Sequence, residues 1–228
     1  MLILAIDTSW KHGGLALARG DAHSFELLET TPLESGTFSA QLVPQAARLL
    51  AKHSLTKADL DGFAAASGPG SFTGLRVGLS AIKALAEVLQ KPIATVSVLE
   101  ALAISCGLPG RVRALLDAGR GELYVGEYEA NVETLHATSL REALITREEF
   151  RATLSPGDSV ATPEQSISDL LKGSGVRLMT LPRPGAELIA RIGIQKLLAG
   201  QTVSPEALDA NYIRRSDAEI FSLPKIRG

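Results

Sequence analysis

The stretch LILAIDTS (residues 2–9) is near-continuously apolar and stops at Asp7-Thr8-Ser9, and the stretch VRALLDAG (residues 112–119) repeats that grammar and stops at Asp117-Ala118-Gly119. A short apolar run bounded by turn residues reads as a buried strand. After the first run come GGLALAR (13–19), a Gly20-Asp21 turn and residues 23–28, whose short connections favour antiparallel hairpins. Residues 41–53 then read as an amphipathic helix with Leu42, Ala46, Leu49 and Leu50 on one face, and Pro44 in its first turn or at a kink. A strand at 62–67, the loop GPGSFTG (68–74), a long helix at 73–90 and a strand at 93–97 follow. After the second run the order returns, with strands at 122–128 and 132–138 and a helix at 146–154. Thr146 caps that helix, and Glu148 and Glu149 lie in its first turn. A short strand at 159–161, a helix at 164–172 and a last helix at 185–199 complete the pattern. CGLPGR (106–111) supplies turn chemistry between the copies, which divides the chain into an N-terminal lobe, 1–108, and a C-terminal lobe with its tail, 109–228.

Composition narrows the function classes. Apolar residues make up 45% and charged residues 21% of the 228, a globular balance that excludes a disordered scaffold. Lys+Arg 23 against Asp+Glu 25 gives a formal charge of -2, so no global field gathers nucleic acid or anionic lipid. Aromatics at 4% argue against a base-stacking platform. The single cysteine, Cys106, makes no internal disulfide and reads as an inert core thiol. His12, His23, His53 and His136 are scattered without metal-ligand spacing, and no G-x-S-x-G elbow is present. The opening MLILAID has no charged lead, and no apolar run reaches the roughly 18 residues that span a bilayer. The expectation is a soluble cytoplasmic protein with no membrane partner.

A duplicated βββαβα unit whose first strand ends in an acidic residue is the layout of the actin-like ATPase (ASKHA) fold, an α/β architecture in two lobes. In that layout two turns face each other across a cleft and hold nucleotide phosphates on backbone N–H groups, with the acids near the metal. Asp7, Thr8, Ser9, Asp117 and Gly119 are the candidates for nucleotide binding. The alternative is that each Asp simply caps its own turn. GPGSFTG has no Lys-Ser/Thr behind it, and Thr73 stands where a dinucleotide fingerprint places its third glycine, so a structural role is favoured. The helix after it carries Gly74 and Gly78 four apart on one side, continued by Ala81 and Ile82. Each helical glycine costs about 1 kcal/mol relative to alanine, so another backbone must come close, from this chain or from a second subunit. Arg214, Arg215, Lys225 and Arg227 make the tail basic, either as a solvated terminus or as a docking strip for a partner or tRNA phosphates.

ILAIDTS, SGPGSFTGLRVGLSAIKALA, DAGRGELYVGEYE and ALDANYIRR occur in an order that resembles the bacterial TsaB (YeaZ) family over essentially the full length. The resemblance implies the actin-like duplicated fold. It also implies a non-catalytic, activating dimerisation subunit for threonylcarbamoylation of the tRNA adenosine beside the anticodon. The implied partners are the catalytic paralogue TsaD and the ATPase TsaE, with a homodimer when alone and tRNA met only through the complex. No cofactor of its own is implied, beyond weak ATP or ADP binding. In the family the helix that begins in GPGSFTG packs against its counterpart, so the resemblance assigns the glycine side to an interface. Ser71, Phe72, Thr73, Gly74, Arg76, Val77, Gly78, Ala81 and Ile82 are the residues so implied, and Gly74→Leu or Gly78→Leu is expected to break the complex and spare the fold. Two departures stand out: Phe38 where members commonly have His, and Ala161-Thr162-Pro163 where a Gly-containing turn often shapes an adenine pocket. The alternative function is a stand-alone actin-like ATPase or phosphotransferase built on Asp7 and Asp117.

Overall fold

The computed structural model describes residues 1–131, 136–211 and 213. The first half folds as β1 (Leu2–Asp7), β2 (His12–Gly20), β3 (Phe25–Glu34), α1 (Phe38–Lys52), β4 (Gly62–Gly68), α2 (Phe72–Leu89), β5 (Ile93–Ser97) and α3 (Val98–Ser105). The second half gives β6 (Gly110–Gly119), β7 (Glu122–Asn131), β8 (His136–Thr146), α4 (Arg147–Ala152), β9 (Ser159–Thr162), α5 (Gln165–Leu170), β10 (Arg177–Thr180) and α6 (Ala186–Leu198). Both halves therefore run βββαβαβα, one strand and one helix longer than the unit read from sequence. The sheets repeat as well: β3-β2-β1-β4-β5 and β8-β7-β6-β9-β10 share one strand order. In each, the first three strands pair antiparallel and the last two join parallel. The actin-like duplication is present in topology although the two halves differ in sequence.

Several element bounds differ from the sequence expectation. The strand placed at 23–28 continues to Glu34, and that placed at 132–138 runs His136–Thr146. Residues 132–135 lie outside the described ones. Strand β10 was not anticipated. It is four residues long, with its first and last residues exposed, too little periodicity to read. At α4 the cap holds as expected: the Thr146 hydroxyl accepts the Glu149 N–H at 3.1 Å, and the Glu149 carboxylate accepts the Thr146 N–H at 2.8 Å.

Strand alternation distributes the core between layers. Leu2, Leu4 and Ile6 of β1, with Phe63 and Ala65 of β4, pack beneath α1 and α2, while Ile3, Ala5, Ala64 and Ala66 face the molecule's centre. The central side is alanine-rich because a helix lies close upon it. A Cβ on Gly193 of α6 would come closer than 3.0 Å to the Ala64 side chain. That helix comes from the other half of the chain.

Helix α6 packs on β1, β2, β4 and β5, and α3 in turn packs on β6, β7 and β8. Each half thus lends its last helix to the other's sheet. Helix α3 is buried from Val98 to Ile104, which explains why its sequence is apolar on every side apart from Glu100. An ion pair ties the crossed helices. Lys196 Nζ lies 2.7 Å from Glu100 Oε2 and donates to the Thr95 carbonyl at 3.0 Å. Glu142 of β8 accepts hydrogen bonds from Tyr128 Oη, from Ser97 Oγ at 2.6 Å and from Asn211 Nδ2. The Asn211 N–H reaches the Ser67 carbonyl at 2.7 Å, so the segment after α6 is pinned to both sheets. The outer side of the second sheet is closed by α4 and α5 over Leu115, Val125, Phe150 and Ile167. No helix among the described residues is long and apolar enough to cross a membrane.

Candidate functional site

The turn between β1 and β2 presses onto the start of α2. The Ser71 N–H donates to the Ser9 carbonyl at 2.7 Å, and Ser71 Oγ caps the helix by accepting the Gly74 N–H at 3.2 Å. Glycines make this approach possible. A Cβ on Gly70 would come closer than 3.0 Å to the Ser9 carbonyl oxygen, one on Gly74 would do so to the Thr8 carbonyl oxygen, and one on Gly78 to the Thr8 hydroxyl. The backbone that comes close is thus the chain's own. This corrects the assignment of Gly74 and Gly78 to a subunit interface, together with the expectation that leucine there spares the fold. Ile82 is corrected too: it is fully buried in the core beneath α1 and α2.

Of the remaining interface candidates, Phe72 and Arg76 lie on the side of α2 away from the glycines, while Val77 and Ala81 flank the glycine side and pack partly against the core. Ser71, Phe72, Thr73 and Arg76 are exposed, and Val77 and Ala81 are half-buried. The Arg76 guanidinium stacks on the Phe72 ring, 3.8 Å from its centroid. Ser80, Ala84 and Val88 extend this outward side, and Ala40, Val43, Pro44 and Ala47 of the neighbouring α1 widen it. Val88 is 75% exposed and Val43 52%, high values for valines on two packed helices. A dent of about 250 Å³ lies where the two helices begin, lined by Ser39, Thr73 and Val77 among others. Phe38 contributes to its floor: the ring is buried against Gly13 at the start of β2, a site where a side chain on glycine would collide with it. Sequence reasoning missed the α1 residues, although the exposed Val43 within an amphipathic helix was a signal.

The acidic residues at the strand ends occupy matching turns. Asp7 Oδ1 accepts the Ser9 N–H at 2.8 Å, and Asp117 Oδ1 accepts the Gly119 N–H at 2.8 Å. Each carboxylate also has a guanidinium at hand. Arg147 lies 3.0 Å from Asp117 Oδ2, and the positive charge of Arg183 favours the ionised form of Asp7. Arg183 bonds Glu164 Oε1 at 3.3 Å and lies 4.2 Å from the centroid of the Trp10 ring. Thr162 Oγ1 donates to Glu164 Oε2 at 3.1 Å. Burial raises the Asp7 carboxyl above its ordinary range, against the pull of the Ser9 and Arg183 contacts. Burial likewise raises Glu164, which Arg183 opposes. Among the described residues, buried side-chain polar atoms without a hydrogen-bond partner are Ser9 Oγ, Arg147 Nε and Arg183 Nε, all at this cleft. Sequence reasoning named Asp7 and Asp117 and missed Arg147, Glu164 and Arg183, because long-range ion pairs leave no local spacing. The basic tail residues Arg214, Arg215, Lys225 and Arg227 lie outside the described residues.

The family model described as TsaD, tRNA N6-adenosine threonylcarbamoyltransferase, matches residues 33–208. The tRNA threonylcarbamoyladenosine biosynthesis protein TsaB of Bacillus subtilis is 32% identical over 230 residues, spanning 96% of both chains. TsaB of Escherichia coli is 31% identical over the same span. Among solved structures, YeaZ from Pseudomonas aeruginosa superposes with a TM-score of 0.74 at 24% identity, covering 92% of this chain and 98% of that one.

Proposed function

Because the chain belongs to the TsaB family of tRNA threonylcarbamoyladenosine biosynthesis proteins, we propose that it serves that modification as a non-catalytic subunit, docking through the outward side of α1 and α2. The uncovered apolar surface carries this reading: Val43 and Val88 stand exposed among alanines on two adjacent helices. Exposed apolar side chains gathered on one face of a fold mark a protein contact. Its small residues let a second helix pair approach closely, and the stacked Phe72–Arg76 pair offers a preorganised aromatic and cationic anchor of the sort that dominates binding energy.

The occupant is the catalytic paralogue TsaD. This chain matches the transferase's own family model over residues 33–208, so the paralogue carries the same fold and an equivalent pair of helices. Two like surfaces then meet across a pseudo-twofold axis, as self-complementary dimers do. The same surface forms a homodimer when the paralogue is missing. In this arrangement the present chain binds and orients, the paralogue transfers the threonylcarbamoyl group to adenosine, and TsaE joins the assembly. The tRNA is met through the complex, in the cytoplasm.

Depletion of the protein in cells, followed by mass spectrometry of tRNA nucleosides, tests the role. Threonylcarbamoyladenosine is expected to fall and to return with the parent gene, but not with Ala84→Arg. An unchanged nucleoside level after depletion overturns the proposal.

A further inference from the structure

Actin-like architecture implies a metal–nucleotide held between the two acidic turns, and the residues here do not fit one. Thr8 is 2% exposed and Ser9 fully buried, so the first turn offers no open backbone donors to a phosphate. The Ser9 and Gly119 N–H groups are already spent on Asp7 and Asp117. The Arg147 guanidinium lies 3.0 Å from Asp117 Oδ2, and Arg183 is held in the same cleft by Glu164 and the Trp10 ring, so positive charge of the chain's own stands where a metal would bring it.

We infer that Arg183 is an internal occupant of the cleft, a latch that joins the second half of the chain to the β1–β2 turn and excludes Mg·ATP. Its side chain is 14% exposed and Glu164's 19%, so the pair is largely withdrawn from water. Pro182 and Pro184 flank Arg183 and restrict the backbone that presents it. Asp7 and Trp10 come from the first half, and Glu164 and Arg183 from the second. Opening the cleft strips the guanidinium either of the Trp10 ring or of Glu164, and leaves a largely buried charge short of partners.

Trp10 is the chain's sole tryptophan, so its fluorescence reports the latch directly. Mg·ATP and, separately, inorganic phosphate are titrated into the parent protein while Trp10 emission and calorimetric heat are followed. No saturable change is expected from either probe. Arg183→Ala is expected to shift Trp10 emission to the red and raise its quenching by acrylamide, with far-UV circular dichroism unchanged. If that variant does not fold, Glu164→Gln is expected to raise the quenching by a smaller amount. Saturable binding of either probe by the parent chain overturns the inference, as does quenching that stays at the parent level in a folded variant.

Discussion

The Thr8 carbonyl oxygen occupies the space that a side chain on Gly74 would need, and the Thr8 hydroxyl does the same opposite Gly78. The glycine side of α2 is therefore a seat for the β1–β2 turn. Gly74→Ala and Gly78→Ala add helix propensity worth about 1 kcal/mol, but they push against buried Thr8, one residue beyond the last β1–β2 pair, Asp7–Gly14. Overpacking of this kind costs about 1–3 kcal/mol, so a net loss of stability is expected for each in urea denaturation. Equal or greater stability would show that the turn yields.

The crossed helices depend on one buried ion pair. Lys196→Met leaves Glu100, 7% exposed, without its cation, and a loss of about 3–5 kcal/mol is expected. Adding Glu100→Met removes the stranded charge and should restore most of that stability. Denaturation of the single and double variants measures this, and a double variant no better than the single one would refute it.

Burial holds Asp7 above its ordinary pKa of 3.8, with the Ser9 contacts and Arg183 pulling the other way. The folded chain therefore binds this proton more tightly than the unfolded chain does. Below 3.8 both states are protonated, and the stabilising difference is fully present. It is lost as pH rises through the raised folded value. Asp7→Asn keeps an acceptor for the Ser9 N–H and removes the titration. The stability of the parent relative to Asp7→Asn should fall over that window and then level off. A parent that gains on the variant as pH rises would reverse the sign.

Much of the architecture was legible because it rests on local pattern. The run ending at Asp7 and the run 93–97 are strands with the bounds read from sequence, and the Thr146 cap forms as its residues require. The exchange of α3 and α6 was not legible, since a helix buried on every side fits against any apolar sheet. Gly74 and Gly78 announced a close approach without naming what approaches. Their own spacing is helical, while Thr8 is far away in sequence and meets them only after the sheet has formed. Arg183, isolated between two prolines, belongs to no pattern until β10 and α6 carry it to the cleft.

Docking through α1 and α2 is tested most directly by gel filtration with light scattering, mixing purified TsaD with this protein or with its Ala84→Arg and Val88→Glu variants. Both positions are exposed, so the variants should keep their stability within about 0.5 kcal/mol of the parent. The parent is expected to co-elute with TsaD as a one-to-one pair, and each variant to bind at least about tenfold more weakly, a loss of roughly 1.4 kcal/mol. Co-elution of both folded variants with undiminished affinity would contradict the placement of the contact on this surface.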